Sequence, residues 1–337
     1  MTYKRIILKK YGGPGELQLI EEPELPEPGK NEVRVKVLAT SVNFTDIMIR
    51  KGMYPEVKQK PPFSPGYDMV GIIDKVGEHV KQFREGDKVA DMTVIGSYSE
   101  YICLSENQLI PLPEELNPVE AVSLILSYVT AYQLLHREAK VKPGQKILVH
   151  GAGGAVGQAM LELGKLSGLE MYGTASASKH NIVSKHGATP IDYKEKDFAK
   201  QLNDKRIGGF DVVFDPIGGK NFKKSFGLLK KGGKLVAYGF YNAVMGHGGS
   251  IPADFIKLQL WNILPNGRKA GFYSIGALRK KHPEWFREDL TTLFDMLKDK
   301  KIKPLIGDKL PLSKAAEAQK MLENREVQGK IILKFNQ

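Results

Sequence analysis

Apolar and polar positions follow one pattern up to roughly Ala121 and a different pattern beyond it. Before this point Glu32–Val37 alternates strictly, as a half-buried strand does. Residues 70–77 and 87–90 are further short apolar runs, separated by turn residues. These features predict a small, strongly bent β domain.

Beyond Ala121, strand-like runs alternate with helix-like runs, which is typical of a doubly wound parallel sheet. The predicted elements are strands at 146–150, 170–174, 210–214 and 234–238, amphipathic helices at 285–302 and 314–325 with Ser313 as cap of the second, and a final strand at 330–335. The predicted fold class is therefore α/β, with a parallel sheet and a separate β-rich domain.

A glycine-rich turn follows the predicted strand 146–150, and a helical run follows the turn. Its glycines are spaced G-x-x-G-x-x-G. Such a turn lets the backbone approach a pyrophosphate, and the free N–H groups at the helix start can hold its charge. We therefore predict dinucleotide contacts at Gly151, Gly153, Gly154, Ala155, Val156 and Gly157. The alternative is a tight strand-to-helix turn that binds no nucleotide.

The identity of the dinucleotide depends on the residues after the second strand. An NAD site places an acidic residue about 20 positions on, where it binds the ribose hydroxyls. Here positions 19 to 22 after Gly157 are Ser176-Ala177-Ser178-Lys179, without an acid. Hydroxyls and a cation suit a 2′-phosphate, so Ser176 and Lys179 predict NADP(H). The alternative for Lys179 is a solvated residue at a helix start.

Composition narrows the class of protein. The chain has 337 residues, 42% hydrophobic and 26% charged, enough for two domains of ordinary soluble composition. The net charge of +12 comes from scattered cations without a nucleic-acid motif, so we expect a solvated surface that attracts polyanionic ligands, and no nucleic-acid partner. The sequence predicts no membrane span. Its single cysteine, Cys103, excludes internal disulfides and predicts a packed thiol and a cytoplasmic location.

Several short motifs together resemble the medium-chain dehydrogenase/reductase superfamily, over essentially the whole chain. They are Ala39–Asp46, Gly52–Pro55, Pro65–Asp68 with Gly71, Thr130–Tyr132, the glycine turn, Gly232–Val236 and Gly329–Ile331. The chain is similar to the zinc-free, zeta-crystallin-like quinone oxidoreductase branch. This resemblance implies a GroES-like catalytic domain at 1–125, an NADP-binding Rossmann domain at 126–265 and a returning segment at 266–337 that completes the catalytic domain.

The residues argue against a metal. Zinc alcohol dehydrogenases of this superfamily place a Cys within the segment matching 41–43 and a His where this chain has Tyr67. Zinc requires thiolate, imidazole or carboxylate ligands that converge tetrahedrally. Without a metal, hydride delivery to a quinone or an α,β-unsaturated carbonyl needs only hydrogen-bond donors at the acceptor oxygen.

The resemblance also implies roles for single residues. Asn43 would orient the nicotinamide carboxamide or donate to the acceptor, and Tyr54 would donate to the acceptor. The further implied cofactor contacts are Thr130 at the nicotinamide, Tyr193 at the ribose phosphate, Gly239 and Phe240 along the nicotinamide ribose, Phe272 and Ser274 beside the nicotinamide, and Arg325 and Lys330 near the phosphates. Five of these residues also have a purely structural alternative: an Asx turn for Asn43, a packed aromatic for Tyr54, a helix residue for Thr130, a surface residue for Tyr193 and a strand flank for Lys330.

The predicted activity is NADPH-dependent reduction of quinones or enones. An enoyl-thioester reductase, an NADPH-binding sensor or scaffold with negligible turnover, and a zinc alcohol dehydrogenase are the alternatives. Relatives often pair through the nucleotide-binding sheet, so we expect a homodimer by analogy.

Overall fold

The computed structural model describes residues 1–195, 197–204 and 207–335. The chain divides into two compact units: unit 1 comprises Met1–Leu126 and Arg287–Gln337, and unit 2 comprises Ser127–Phe286. The predicted boundaries were 125/126 and 265/266. A strand at Lys269–Phe272 joins the sheet of unit 2, and the predicted domain boundaries stay a prediction.

Unit 1 is built on an antiparallel-rich sheet. Its strands are β1 (Tyr3–Leu8), β2 (Leu17–Glu22), β3 (Glu32–Val42), β4 (Met69–Val76), β5 (Lys88–Asp91), β6 (Tyr101–Ser105), β7 (Ile110–Pro111), β14 (Ile306–Pro311) and β15 (Lys330–Lys334). β1 and β2 form a hairpin, and the larger sheet has the order β14-β15-β3-β4-β5-β7, with β6 also paired to β3. The alternating valines of β3, Val33, Val35 and Val37, are buried in its core with Met69 and Val89. The β-rich domain is therefore confirmed.

Two connections in unit 1 position the residues discussed below. Helix α1 (Phe44–Arg50) starts directly after β3, so Asn43 lies at the junction. β15 runs antiparallel to β3 with Ile331 opposite Val42. This register brings the start of β15 beside the end of β3, although the two are far apart in sequence.

Unit 2 contains a parallel sheet with the order β10-β9-β8-β11-β12-β13 among the described residues. The strands are β8 (Lys146–His150), β9 (Glu170–Ala175), β10 (Thr189–Asp192), β11 (Phe210–Asp215), β12 (Leu229–Ala237) and β13 (Lys269–Phe272). The parallel sheet is confirmed, and β8 lies in its interior, where the order reverses between β9 and β11. Ligands of doubly wound sheets bind at this switch point.

The helices complete both units. They are α2 (Pro118–Ser123), α3 (Val129–Tyr132), α4 (Ala155–Leu166), α5 (His180–Lys185), α6 (Phe198–Asp204), α7 (Lys220–Gly227), α8 (Tyr241–Val244), α9 (Ile251–Trp261), α10 (Ile275–Lys281), α11 (Pro283–Lys298) and α12 (Ala315–Glu323). The predicted Ser313 cap is wrong: Ser313 lies within a 3-10 turn, Leu312–Lys314, and α12 begins after Lys314 without a side-chain cap.

One helical stretch, Pro118–Ala139, is long and apolar enough to cross a membrane by length and composition alone. In its most apolar window, 78% of the residues are buried inside the protein. Burial of this extent is typical of a core helix, so the stretch is weak evidence for a membrane span.

The side chain of Asn262 covers the outer strand of the parallel sheet, β13, at Ala270. The amide of Asn262 donates to the carbonyl oxygen of Ala270 (2.6 Å) and accepts from its N–H (2.8 Å). Asn262 follows directly after α9. One side chain thus satisfies both backbone groups of an edge residue.

Candidate functional site

The glycine turn of unit 2 links β8 to α4. Gly151 has a φ of 67°, a left-handed conformation that favours glycine. A Cβ at Gly157 would lie 2.4 Å from the carbonyl oxygen of Gly151 and 2.7 Å from the Cα of Ala152. Both neighbours are backbone atoms, so they cannot move aside without opening the turn. The structure therefore requires glycine at both ends of this segment.

Ser176 and Lys179 lie at the end of the neighbouring strand, β9. A Cβ at Gly153 would lie 2.7 Å from Cδ of Lys179, so the aliphatic part of this lysine packs over the glycine turn. Ser176 is half-buried, and its hydroxyl is 3.2 Å from that of Ser178. The structure thus brings the Lys179 side chain against the glycine turn, and two serine hydroxyls precede this lysine in the same short segment. This donor set fits a phosphorylated ligand.

A buried network behind the turn was not predicted. His150, the last residue of β8, lies 3.0 Å from the Thr174 hydroxyl through Nδ1 and 3.0 Å from the Ser225 hydroxyl through Nε2. Ser225 donates to Asp215 (2.6 Å), and the Thr174 carbonyl accepts from the N–H of Ala152 (3.0 Å). Burial lowers the pKa of His150, although the charge of Asp215 opposes this shift. The network joins the ends of β8, β9 and β11 beneath the turn.

Other predicted cofactor contacts in unit 2 have structural partners. Phe240 stacks on Phe272, with ring centroids 4.8 Å apart, and Phe240 belongs to the core. A Cβ at Gly239 would lie 2.9 Å from the Pro216 carbonyl oxygen. Ser274 caps α10, accepting from the N–H of Ala277 at 3.3 Å. Thr130 is buried on α3, and Tyr193, which follows β10, is exposed. Their contacts with a cofactor stay predictions.

The amide of Asn43 is fully engaged inside unit 1. Its Nδ2 is 3.1 Å from the carbonyl oxygen of Ser41 and 3.1 Å from Oδ2 of Asp68. Its Oδ1 accepts a hydrogen bond from Nζ of Lys330. The structure therefore brings together Asn43 and Lys330, two of the predicted site residues. A ligand that binds the Asn43 amide would have to replace one of these partners.

Lys330 lies in a buried cluster with two carboxylates, Asp46 and Asp68. Burial lowers the pKa of Lys330, and the negative charge of Asp68 opposes this shift. Burial also raises the pKa of Asp68, against the charge of Lys330 and the hydrogen bond from Ser41 (2.7 Å). The family resemblance implies instead a position of Lys330 near the phosphates. Its position in this cluster depends on the β3–β15 register, which no local pattern reveals.

The carboxyl of Asp46 accepts a hydrogen bond from the N–H of Asn43 (2.8 Å) at the start of α1. Burial and the nearby charge of Asp68 raise its pKa to about 7. Above the ordinary Asp pKa of about 3.9, an unfolded chain has lost this proton while the folded protein still holds it. The free energy of unfolding should therefore fall as pH rises toward 7.

We expect Asp46→Asn to remove this part of the pH dependence. The stability of the variant relative to wild type should increase by about 2 kcal/mol between pH 5 and pH 8. Urea denaturation at each pH measures it. Glu24→Gln, which alters an exposed acid, is the control. A difference between Asp46→Asn and wild type that is the same at all pH values would contradict the assignment.

Tyr54 follows α1 in a loop, and its hydroxyl is hydrogen-bonded to that of Tyr67. The rings meet edge to face, with centroids 5.6 Å apart. Burial raises the pKa of Tyr54 well above that of a free phenol, so the group is protonated at neutral pH. A protonated, half-buried hydroxyl can act as a hydrogen-bond donor.

The remaining predicted residues of unit 1 are less informative. Arg325 is exposed just after α12 and has a φ of 60°. Burial raises the pKa of the Cys103 thiol to about 11, so this cysteine is not a thiolate at neutral pH. Within residues 1–195, 197–204 and 207–335, no three His, Cys, Asp or Glu residues come together as a metal site.

Comparisons with known proteins place the chain in a family. Residues 29–114 match the model for the alcohol dehydrogenase GroES-like domain, and residues 186–333 match the model for zinc-binding dehydrogenase. Pig quinone oxidoreductase is 32% identical over 333 residues, which cover 96% of this chain and 95% of that protein. The chain belongs to the medium-chain dehydrogenase/reductase superfamily. Within that superfamily it is a member of the zinc-free quinone oxidoreductase branch.

Two further comparisons support the medium-chain reductase assignment. The synaptic vesicle membrane protein VAT-1 homolog of Danio rerio is 32% identical over 343 residues, which cover 98% of this chain and 70% of that protein. The structure of Escherichia coli quinone oxidoreductase complexed with NADPH has a TM-score of 0.87 and 29% identity, and the match covers 98% of this chain and 99% of that one. These comparisons confirm the predicted family and the predicted fold, a GroES-like domain with a parallel Rossmann-type sheet. The protein is an oxidoreductase.

Proposed function

We propose that this protein is an NADPH-dependent, metal-independent reductase of quinones or α,β-unsaturated carbonyls. The observation that carries the proposal is the position of Lys179 across the glycine turn, with Ser176 beside it and no acid in residues 176–179. An NAD site would use a carboxylate at this place for the ribose hydroxyls. A carboxylate repels a 2′-phosphate, whereas a lysine and two hydroxyls attract it.

The turn itself fits the pyrophosphate. Gly153 has no side chain to block the approach of a ligand to the backbone, and α4 starts at Ala155 with its positive dipole end toward the turn. When bound, the coenzyme supplies the hydride, so that a quinone, NADPH and a proton yield a hydroquinone and NADP⁺. We retain Thr130, Tyr193, Gly239, Phe240, Phe272, Ser274, Arg325 and Lys330 as proposed cofactor contacts.

The acceptor needs hydrogen-bond donors, because negative charge develops on its oxygen during hydride transfer. We propose that Tyr54 supplies one, and that Asn43 supplies another by releasing the contact of its Nδ2 with Ser41 or with Asp68. Tyr54 remains protonated at neutral pH, and Nζ of Lys330 donates a hydrogen bond to Oδ1 of Asn43, which polarises the amide. Solvent then delivers the final proton to the reduced product.

The names of two relatives agree with this proposal. The Escherichia coli neighbour is named a quinone oxidoreductase and was crystallised with NADPH, and the pig relative is also named a quinone oxidoreductase. The several VAT-1 relatives are named vesicle membrane proteins, so their names favour no acceptor. Acceptor identity therefore has to be measured.

The decisive experiment follows NADPH oxidation at 340 nm with 1,2-quinones, 1,4-quinones and simple enones, with and without a chelator. We expect turnover with at least one acceptor class, a strong preference for NADPH over NADH, and no loss on chelation. Tight NADPH binding without any turnover would instead indicate a binding protein. Activity confined to crotonyl-type thioesters would indicate an enoyl reductase, and loss of activity on chelation would indicate a metal enzyme.

We further propose a homodimer that uses the outer face of α9. This face and the residues after it expose five large apolar side chains: Phe255 (41%), Ile256 (61%), Leu260 (56%), Ile263 (78%) and Leu264 (48%). Contiguous exposed apolar surface commonly marks a protein contact. The cytoplasmic location stays a prediction.

Replacing both Ile256 and Leu260 with glutamate should convert the dimer into a monomer at micromolar concentration, because charges cannot be buried unpaired at the contact. Analytical ultracentrifugation measures the change. Leu19→Glu, at a 41% exposed leucine of β2, should leave the dimer intact. A monomeric wild type, or a double variant that remains dimeric, would contradict this surface.

A further inference from the structure

Tyr67 is held rigidly in unit 1. It lies between Gly66 and the start of β4, and its side chain is 0% exposed. Gly66 has a φ of 108°, and a Cβ there would lie 2.4 Å from the backbone nitrogen of Tyr98. The carbonyl oxygen of Tyr67 also accepts from the N–H of Val94 (3.1 Å). Backbone packing and burial therefore fix the position of the Tyr67 hydroxyl.

Tyr54 is less constrained. It lies in a loop beyond α1, after Gly52 with a φ of 69°, and it remains partly exposed. Its hydroxyl meets that of Tyr67, and either atom can be the donor. The direction of this hydrogen bond determines what Tyr54 can do. If Tyr54 donates to Tyr67, its only hydrogen points into the protein. If Tyr67 donates, the Tyr54 hydrogen is available to a ligand.

Burial favours the second arrangement. A hydroxyl that is fully enclosed must place its hydrogen on a protein acceptor, and the Tyr54 oxygen is such an acceptor. A partly exposed hydroxyl can place its hydrogen on water or on a ligand.

We propose that Tyr67 is a positioning residue that donates its hydroxyl hydrogen to Tyr54 and so directs the Tyr54 hydrogen to the oxygen of the acceptor. This inference rests on the proposed function, in which Tyr54 is a donor to that oxygen. A hydroxyl that accepts one hydrogen bond is polarised and donates the next more strongly. Tyr67 therefore acts on the reaction only through Tyr54.

A double-mutant cycle tests the coupling. Tyr67→Phe keeps the ring and removes the hydroxyl, and we expect kcat/KM for the quinone to fall by about 5-fold. Tyr54→Phe should lower it further. The double variant should equal Tyr54→Phe, because without the Tyr54 hydroxyl there is nothing for Tyr67 to orient. Tyr101→Phe, a half-buried tyrosine of β6, is the matched control and should have wild-type activity.

Two results would overturn the inference. The first is an unchanged kcat/KM in Tyr67→Phe, provided that Tyr54→Phe is impaired. The second is an equal loss on Tyr67→Phe in the wild-type protein and in the Tyr54→Phe variant, since this indicates a purely structural effect. If Tyr54→Phe itself has wild-type activity, the proposed donor role of Tyr54 fails and the inference fails with it.

A second measurement tests the hydrogen bond from Tyr67 to Tyr54 without relying on activity. It can therefore be made even if the wild-type protein reduces none of the acceptors and the proposed function fails. A fluorinated tyrosine at position 54, whose pKa is lower than that of tyrosine, can be titrated by ¹⁹F NMR. Removing the Tyr67 hydroxyl should raise the pKa of the fluorinated residue by about one unit, because the phenolate loses a donor. An unchanged or lower pKa would show that Tyr67 does not donate to this oxygen.

Discussion

Gly157→Ala is expected to weaken NADPH binding at least 100-fold, which corresponds to about 3 kcal/mol. The added Cβ would lie 2.4 Å from the carbonyl oxygen of Gly151, so the strand–turn–helix segment has to open. Opening the turn displaces the N–H groups that face the pyrophosphate. Calorimetric titration with NADPH measures the loss, and circular dichroism reports whether the fold is kept.

Gly227→Ala is the matched control for this variant. Gly227 ends α7, and a Cβ there would meet no atom within 4 Å. The control should bind NADPH as wild type does. Wild-type affinity in folded Gly157→Ala would show that the turn does not bind the coenzyme, and the dinucleotide assignment would then be wrong.

Lys179→Ala is expected to raise the Kd for NADPH by about 10- to 100-fold and to leave the Kd for NADH nearly unchanged. A charged hydrogen bond to a phosphate contributes about 1.5–3 kcal/mol, and only NADPH carries the 2′-phosphate that would lose it. Titration of both coenzymes at fixed ionic strength measures the change in preference. The affinity of the variant for NADPH should also depend less on salt concentration.

Lys185→Ala, at an exposed lysine in the last turn of α5, is the control for general attraction by positive charge. It should change the affinity for the two coenzymes little. Equal losses for NADPH and NADH in Lys179→Ala would place the lysine at the pyrophosphate. No loss for either coenzyme would remove Lys179 from the site.

Local sequence patterns were sufficient for the fold class and for the glycine turn. The strand at 146–150 agrees with β8, because a short apolar run bounded by turn residues has few other structures. The glycine turn could be recognised since its constraints arise within seven residues. The Ser313 cap could not be judged locally, because a 3-10 turn precedes α12 and displaces its start.

Contacts between distant segments could not be predicted. Lys330 and Asn43 are 287 residues apart, and only the pairing of β15 with β3 brings them together. The hydrogen bonds of His150 likewise join two strands, β8 and β9, and the helix α7. Tyr67 appeared only as a residue in the position of a zinc ligand, and its contact with Tyr54 depends on how the loop after α1 folds. Sequence motifs indicated which residues matter, whereas their partners came from the tertiary structure.

The Asn262 amide has a consequence for how the protein behaves in a crowded solution. Outer strands of sheets can template the addition of foreign strands, which leads to open-ended aggregation. At Ala270 both backbone groups are already bonded by Asn262, so an incoming strand would first have to displace this side chain. Asn262 thus blocks the addition of a further strand at Ala270. We expect its replacement to lower the solubility of the protein before it lowers the catalytic activity.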